Sequence, residues 1–316
     1  MRGYSPPDAR LWAGRHDTLP NERVFQHVSC VNLLKHAVSD IPDGPVIAGF
    51  CTDEGIARNE GRTGAADAPD ILRQQFGKLA WHSGRIFTDI GNVRCENHDL
   101  EGAAETFATL ISEVQAHGHH TVVFGGGHEI AHAHYRGLAT RFPRLGIVNF
   151  DAHFDLRPVT PERGATSGTP FRQIADFCKS QNRPFHYACL GIQPHANTRS
   201  LFESARALNV AWKSAEDLQR ESLAGNIAFL DDFIRRVEHI YLTLCLDVFA
   251  EADAPGVSAP QPLGLTPQEA LPLLKYLLQT GKVVGIDIAE LSPPLDVANK
   301  TARLAANLLA ELLDTP

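Results

Sequence analysis

Short apolar runs of strand length alternate with longer amphipathic stretches along almost the whole of this 316-residue chain, and that alternation narrows the folds open to it. The runs are Val46–Phe50, Arg85–Ile90, Thr121–Phe124, Leu145–Phe150, His186–Gly191, Ile240–Leu246 and Val283–Ile288. Several are apolar throughout instead of at every second position, as in strands covered on both faces. Helical patterns lie between them, such as Glu101–Ala116 and Leu271–Gln279, and another closes the chain around Val297–Leu313. This order predicts an α/β fold on a mostly parallel sheet. A content of 43% hydrophobic residues is enough to bury a large core. No low-complexity linker, repeat or break in composition divides the chain, so one domain over residues 1–316 is expected, with 1–40 as an N-terminal extension.

Open parallel sheets bind ligands outside the carboxyl ends of their strands. Four polar clusters in this chain follow candidate strands: Gly125–Glu129, Asp151–Asp155, Asp247 and Glu290. Their convergence on one crevice is a stronger signal than any one of them. Asp151, His153 and Asp155 occupy alternate positions, so on a strand end they face one way. An N-cap followed by a solvated loop is the competing reading. Imidazole mixed with carboxylates suits manganese, iron or zinc, and the carboxylate share without a thiolate pair leans toward manganese. One carboxylate could bridge two ions about 3.5–4 Å apart, the separation at which a shared water becomes a nucleophile.

The other clusters add to this. Gly125-Gly126-Gly127-His128-Glu129 turns sharply after its strand, since glycine permits backbone that a Cβ forbids, and would bring His128 to the crevice. A plain strand-to-helix turn competes, and a phosphate loop is disfavoured because Gly-Lys-Ser/Thr is missing. Cys245 and Asp247, two residues apart, face the same way, although a buried free thiol is the ordinary reading of Cys245. Glu290 could hold a cationic C=N group through paired hydrogen bonds, or simply begin a helix. His132 and His134 read as surface or core residues. The loop Ala254–Pro260 could wall a pocket.

Composition excludes several partners. A formal charge of −8 argues against nucleic acid and anionic membranes. No stretch approaches the roughly 18–20 apolar residues of a membrane helix. The first residues lack the apolar core of a secretory signal, and the six cysteines (30, 51, 95, 178, 189 and 245) form no C-x-x-C pair. A soluble, cytoplasmic protein acting on a small molecule is the expectation.

Taken in order, GGGHE, NFDAHFD, the strand ending Cys245-Leu246-Asp247 and DIAELSPP resemble the arginase/agmatinase/formiminoglutamase superfamily, the manganese ureohydrolases, from about Gly49 to Pro294. Within it, Arg58–Ala66, the Ser-Gly-Thr-Pro segment at 167–170, the Cys-Leu-Asp strand and Ala-Pro-Gly-Val-Ser-Ala-Pro resemble the formiminoglutamase branch. The resemblance implies a three-layer α/β/α sandwich, two Mn2+ ions per subunit and a homo-oligomer. It implies that His128 and Asp155 bind one ion, His153 and Asp247 the other, and that Asp151 bridges them. Cys245 then stands where most relatives carry a second bridging carboxylate. Asp155 would orient the attacking hydroxide and pass on its proton, and Glu290 would contact the cationic head of the substrate. Asn59, Arg62, Arg157, Ser167 and Arg172 lie in motif loops and would bind the substrate, the arginines through its carboxylates.

The activity implied is hydrolysis of the C–N bond of N-formimidoyl-L-glutamate to L-glutamate and formamide, a step of histidine degradation. Ser167 and Phe171 occupy slots where guanidine hydrolases tend to carry histidines, which sets a guanidino-hydrolase releasing urea second. An inactive metal-binding interaction protein is the reading from a different class, and a one-metal zinc hydrolase is more remote.

Overall fold

In the computed structural model, which describes residues 1–15 and 17–314, ten strands form one sheet. They are β1 (Tyr4–Ser5), β2 (Val28–Cys30), β3 (Val46–Cys51), β4 (Phe87–Arg94), β5 (Thr121–Gly125), β6 (Leu145–Phe150), β7 (His186–Ile192), β8 (Ala211–Ser214), β9 (His239–Cys245) and β10 (Val283–Ala289). The order across the sheet is β1-β4-β3-β5-β10-β9-β6-β7-β8, with β2 also on β4. Every pairing is parallel except β1 with β4.

The uniformly apolar runs have the cause expected of them, because β3, β5, β6 and β10 are buried at every position. Residues of these strands and of β9 are shared between two cores, alternating along each strand except where the irregularity at Val283–Gly285 shifts β10. Ile47, Val122, Phe124, Val148, Leu242 and Ile286 pack on one face with the helices Ala68–Gly77, Pro267–Gln279 and Lys300–Leu313. Val46, Ala48, Val123, Ile147, Tyr241 and Val284 pack on the other with Leu100–Ala116, Ile130–Ala139 and Pro170–Ser180. The result is the three-layer α/β/α arrangement. No helix among the described residues is long and apolar enough to cross a membrane.

Three strands carry no sequence signal. Those at β1, β2 and β8 span two to four residues and are partly or wholly exposed, too short for an apolar run to mark. The fourth strand runs past the expected Ile90 to Arg94, through polar positions that a helix residue satisfies. Arg73 is buried and donates to Asp89 at 2.7 and 2.8 Å and to Asn92 at 2.8 Å, while the Trp12 indole donates to Asp89 at 2.7 Å. The helix expected from Leu271 begins at Pro267, where Thr266 and Glu269 form a capping box with proline in the first turn. The last helix begins at Lys300, after Ala298 and Asn299 take left-handed backbone.

Strands β5, β10, β9 and β6 are consecutive neighbours in the middle of the sheet. Their ends are level, with Ile288 opposite both Phe124 and Leu244, and Phe150 opposite Leu244. These are the four strands that the polar clusters follow.

Candidate metal centre

The glycine turn after β5 is a matter of close approach, which corrects the expectation of special backbone angles: none of the three glycines has a positive φ. A Cβ on Gly126 would lie 1.8 Å from the Thr52 carbonyl oxygen, and one on Gly127 would lie 2.1 Å from a Glu129 carboxylate oxygen. The turn is tied to β3 by Gly126 donating to the Phe50 carbonyl and Gly127 to that of Thr52, both at 2.9 Å. His128 is thereby sunk at the strand ends, 1% exposed.

The segment 151–155 corrects a second expectation. Strand β6 stops at Phe150, so Asp151, His153 and Asp155 do not alternate along a strand face. They meet through a folded-back turn in which Asp151 accepts from the backbone N–H of His153 at 2.8 Å and Asp155 sits at φ 49°. Glu290, just past β10, is also left-handed at φ 71°. Such backbone costs a non-glycine residue about 1–3 kcal/mol and tends to be stored at functional sites. Strand β9 likewise ends one residue earlier than expected, at Cys245, and a 3-10 turn over Leu246–Val248 swings Asp247 to the same point.

The resulting geometry is divided about Asp151. Its Oδ2 lies 2.9 Å from His128 Nδ1, which is also 3.0 Å from Asp155 Oδ2. Its Oδ1 lies 3.5 Å from His153 Nδ1, which is 3.1 Å from Asp247 Oδ2. The ligand atoms of His128, Asp151 and Cys245 all fall within 4.8 Å of one another, as do those of Asp151, His153 and Asp247. One buried carboxylate therefore serves two adjoining donor sets. His128 Nδ1 has no hydrogen-bond partner despite its short carboxylate contacts, because neither oxygen lies where a ring N–H would point. Asp247 Oδ1 is also buried and unpartnered. Buried, unpartnered ligand atoms, one in each donor set, suit cations.

Several partners hold these residues in place, and one of them, Thr243, carries no signal in the sequence. Thr243 Oγ1 lies 3.0 Å from His128 Nε2; with Nε2 donating its proton to that hydroxyl, Nδ1 is left to face a cation. Asn149 donates to Asp151 at 3.0 Å. Glu290 accepts from the His128 backbone N–H at 2.9 Å, and its own N–H donates to the Gly126 carbonyl at 2.8 Å. Beneath the turn, Glu129 accepts from Gly55 N–H at 2.9 Å and Thr52 at 3.1 Å, with its second oxygen buried and unpartnered. Phe171 stacks on Tyr187 and packs edge-on against the His128 ring, 5.3 Å between centroids.

Charge is crowded here. Burial, then the neighbouring Asp151 charge, pushes Asp155 up to about 6. Burial raises Asp247, and burial with the Asp247 and Glu129 charges holds Glu290 well above the carboxylate range. Burial would pull the two imidazoles down, but the surrounding aspartates outweigh it and hold both well above the usual histidine range. Burial lifts the Cys245 thiol, and Asp151 and Asp247 lift it further. Carboxylates raised by burial and mutual repulsion are what a divalent cation would relieve.

A cavity of about 390 Å³ opens above the cluster, floored by His128, His153, Asp155, Cys245, Asp247 and Glu290. Its walls include Asn59, Arg62, Arg157 and Ser167, with Ser258 and Ala259 from the proline-rich loop. Arg62 is braced by donating to the carbonyls of Val257 at 2.8 Å and Ser258 at 2.9 Å, and Asn59 donates to Ser167 at 3.3 Å. The Arg157 backbone N–H donates to the Gly168 carbonyl at 2.9 Å, while its guanidinium has no hydrogen-bond or ion-pair partner among the described residues. Arg172 does not belong with them: it lies on the helix Pro170–Ser180, 3.2 Å from Asp176, and lines a separate surface groove. Phe171 and Ile174 take the inward side of that helix, which turns Arg172 outward. His134 is core, as read, bonded to Asp287 at 2.7 Å and Thr121 at 2.9 Å.

Residues 44–314 match the model of the arginase family. The formimidoylglutamase of Legionella pneumophila subsp. pneumophila (strain Philadelphia 1) is 53% identical over 315 residues, covering 100% of this chain and 98% of that protein. Among solved structures, Trypanosoma cruzi formiminoglutamase with Mn2+ superposes with a TM-score of 0.80 at 25% identity, covering 93% of this chain and 98% of that one. Formimidoylglutamase from Bacillus subtilis superposes with a TM-score of 0.79 at 25% identity, covering 88% and 91%.

Proposed function

The chain belongs to the arginase family, and from this premise we propose that it hydrolyses the C–N bond of N-formimidoyl-L-glutamate, releasing L-glutamate and formamide. The observation that carries the chemistry is the division of Asp151 between two histidine–carboxylate pairs at the floor of one cavity. The substrate assignment is supported by identity over the full length with a formimidoylglutamase.

In this reading His128 and Asp155 would hold one Mn2+ and His153 and Asp247 the other, with Asp151 available to both and Cys245 to the first. When bound, the pair of cations lowers the pKa of a water so that hydroxide is present near neutral pH. Asp155 takes the proton of the attacking water and hands it to the departing glutamate nitrogen. Glu290 spends one oxygen on the His128 N–H, which leaves the other to pair with the cationic amidine nitrogen. The attacking oxygen forms its bond to the formimino carbon, the bond from that carbon to the glutamate nitrogen breaks, and formamide departs. Asn59, Arg62, Arg157 and Ser167 receive the glutamate carboxylates along the cavity wall.

One ureohydrolase-like domain over residues 1–316 belongs to the same proposal, supported by a single sheet that takes strands from both ends of the chain. The family resemblance adds a homo-oligomer working in the cytoplasm. The test is purified protein supplied with Mn2+ and N-formimidoyl-L-glutamate, with formamide release expected. Faster urea release from agmatine, 4-guanidinobutyrate or arginine would overturn the substrate assignment.

A further inference from the structure

We propose that Cys245 makes the two ion positions chemically unequal. Its Sγ joins His128 and Asp151 as a thiolate ligand, so this position prefers a softer divalent ion, of the zinc, cobalt or iron(II) class. The position between His153 and Asp247 keeps the manganese preference of a nitrogen–oxygen set. The inference deepens the reading above and rests on it.

Three observations carry it. The first is proximity: the sulfur, the His128 ring nitrogen and an Asp151 oxygen all lie within 4.8 Å of one another, a spread that one ion can draw together. The second is orientation. His128 is 1% exposed and its Nδ1 has no hydrogen-bond partner, so an unsatisfied donor atom faces the carboxylates beside the thiol. The third is that Asp151 divides its oxygens, Oδ2 toward the His128 side and Oδ1 toward His153 and Asp247, so the two positions draw on different donors. Sulfur belongs to the first donor set alone, and its link to the second is a hydrogen bond with Asp247.

Ligand softness then decides the outcome. Thiolate favours zinc and its neighbours in the divalent series, whereas carboxylate and imidazole without sulfur accommodate manganese. A thiol that ligates a cation releases its proton to water as the S–metal bond forms, with no change of oxidation state. The other buried thiol near Asp151 cannot substitute. Cys189 Sγ is turned to backbone, 3.5 Å from the His153 carbonyl and 4.0 Å from that of Asp151, and it falls in neither donor set.

The test uses full-length protein stripped of metal and titrated with Co2+, with sulfur-to-cobalt charge-transfer absorption as the readout and bound metal counted independently. The expected result is that such a band rises in the wild type and saturates at one thiolate per chain while two ions bind. Excess Mn2+ then displaces one cobalt and leaves the band. C245S binds ions without the band, and C245D loses it while its preference for Co2+ over Mn2+ falls by at least about tenfold, the scale on which even outer ligand partners act. Circular dichroism reports whether each variant is folded; should C245S not fold, the wild-type spectrum and the C245D competition decide. Cobalt bound in the wild type without the band, or a band that survives in C245S, overturns the thiolate and leaves the two-ion reading standing. Failure to bind any divalent ion overturns both.

Discussion

Thr243→Val isolates the outer support of His128, a ligand in the proposed metal centre. The substitution keeps a buried side chain of nearly the same shape in β9 and removes the hydroxyl 3.0 Å from His128 Nε2. Two effects follow. The ring loses the partner that holds its proton on Nε2, and losses of this kind weaken metal binding by about 10–100-fold, or roughly 1.4–2.8 kcal/mol. The N–H is also left buried without an acceptor, which costs folding about 1–3 kcal/mol. Competition with a fluorescent chelator for Mn2+ measures the first, and urea unfolding of the metal-free protein measures the second. Thr243→Ser restores the hydroxyl and should recover most of both. Wild-type Mn2+ affinity in a folded Thr243→Val protein would refute the view that this hydrogen bond sets the ligand nitrogen.

Three further outcomes are expected. Folded Glu129 keeps its proton up to about pH 7, whereas an unfolded glutamate releases it near 4.5, so the folded state binds more protons between those values. Stability of the metal-free protein should therefore fall as pH rises through that window, by about 3 kcal/mol from this group. Denaturation of Glu129→Gln beside the wild type at both ends of the window should show that part of the slope gone. In steady-state kinetics, Arg157→Ala should raise KM for N-formimidoyl-L-glutamate about 10–100-fold, the worth of a charged hydrogen bond. Arg172→Ala, outside the cavity, should leave KM within about twofold of the wild type, the scale of an ordinary surface change.

The sheet and the polar cluster are legible in the sequence for one reason: strands buried on both faces are apolar throughout, so polar residues at their ends stand out. His128, Asp151, His153, Asp155, Asp247 and Glu290 all lie just past such runs, and the structure gathers them. The path by which they meet was not legible. Alternation is a rule for strands, and it misdescribed 151–155 because the chain leaves the sheet at Phe150 and turns on a left-handed Asp155. Thr243 looks like any β-branched core residue, since nothing local says that its hydroxyl faces a histidine 115 positions earlier. Glu129 follows His128 and points beneath the turn, a distinction that depends on Thr52 and Gly55 arriving from the segment after β3. Arg172 lies outside the cavity because a helix that buries Phe171 turns its next residue away.

The opening residues have a role of their own. Val28–Cys30 lies along Phe87–Asp89, and Tyr4–Ser5 lies antiparallel along Asn92–Val93, so both halves of one flank of β4 are hemmed. Trp12 fastens the same stretch through its indole on Asp89. A clone begun at residue 44, where the family match starts, would bare a ladder of unpaired amides and carbonyls while keeping the four ligand-bearing strands. Such a flank invites another chain to add itself. Trimming to the shared core would then yield a sticky protein before an inactive one.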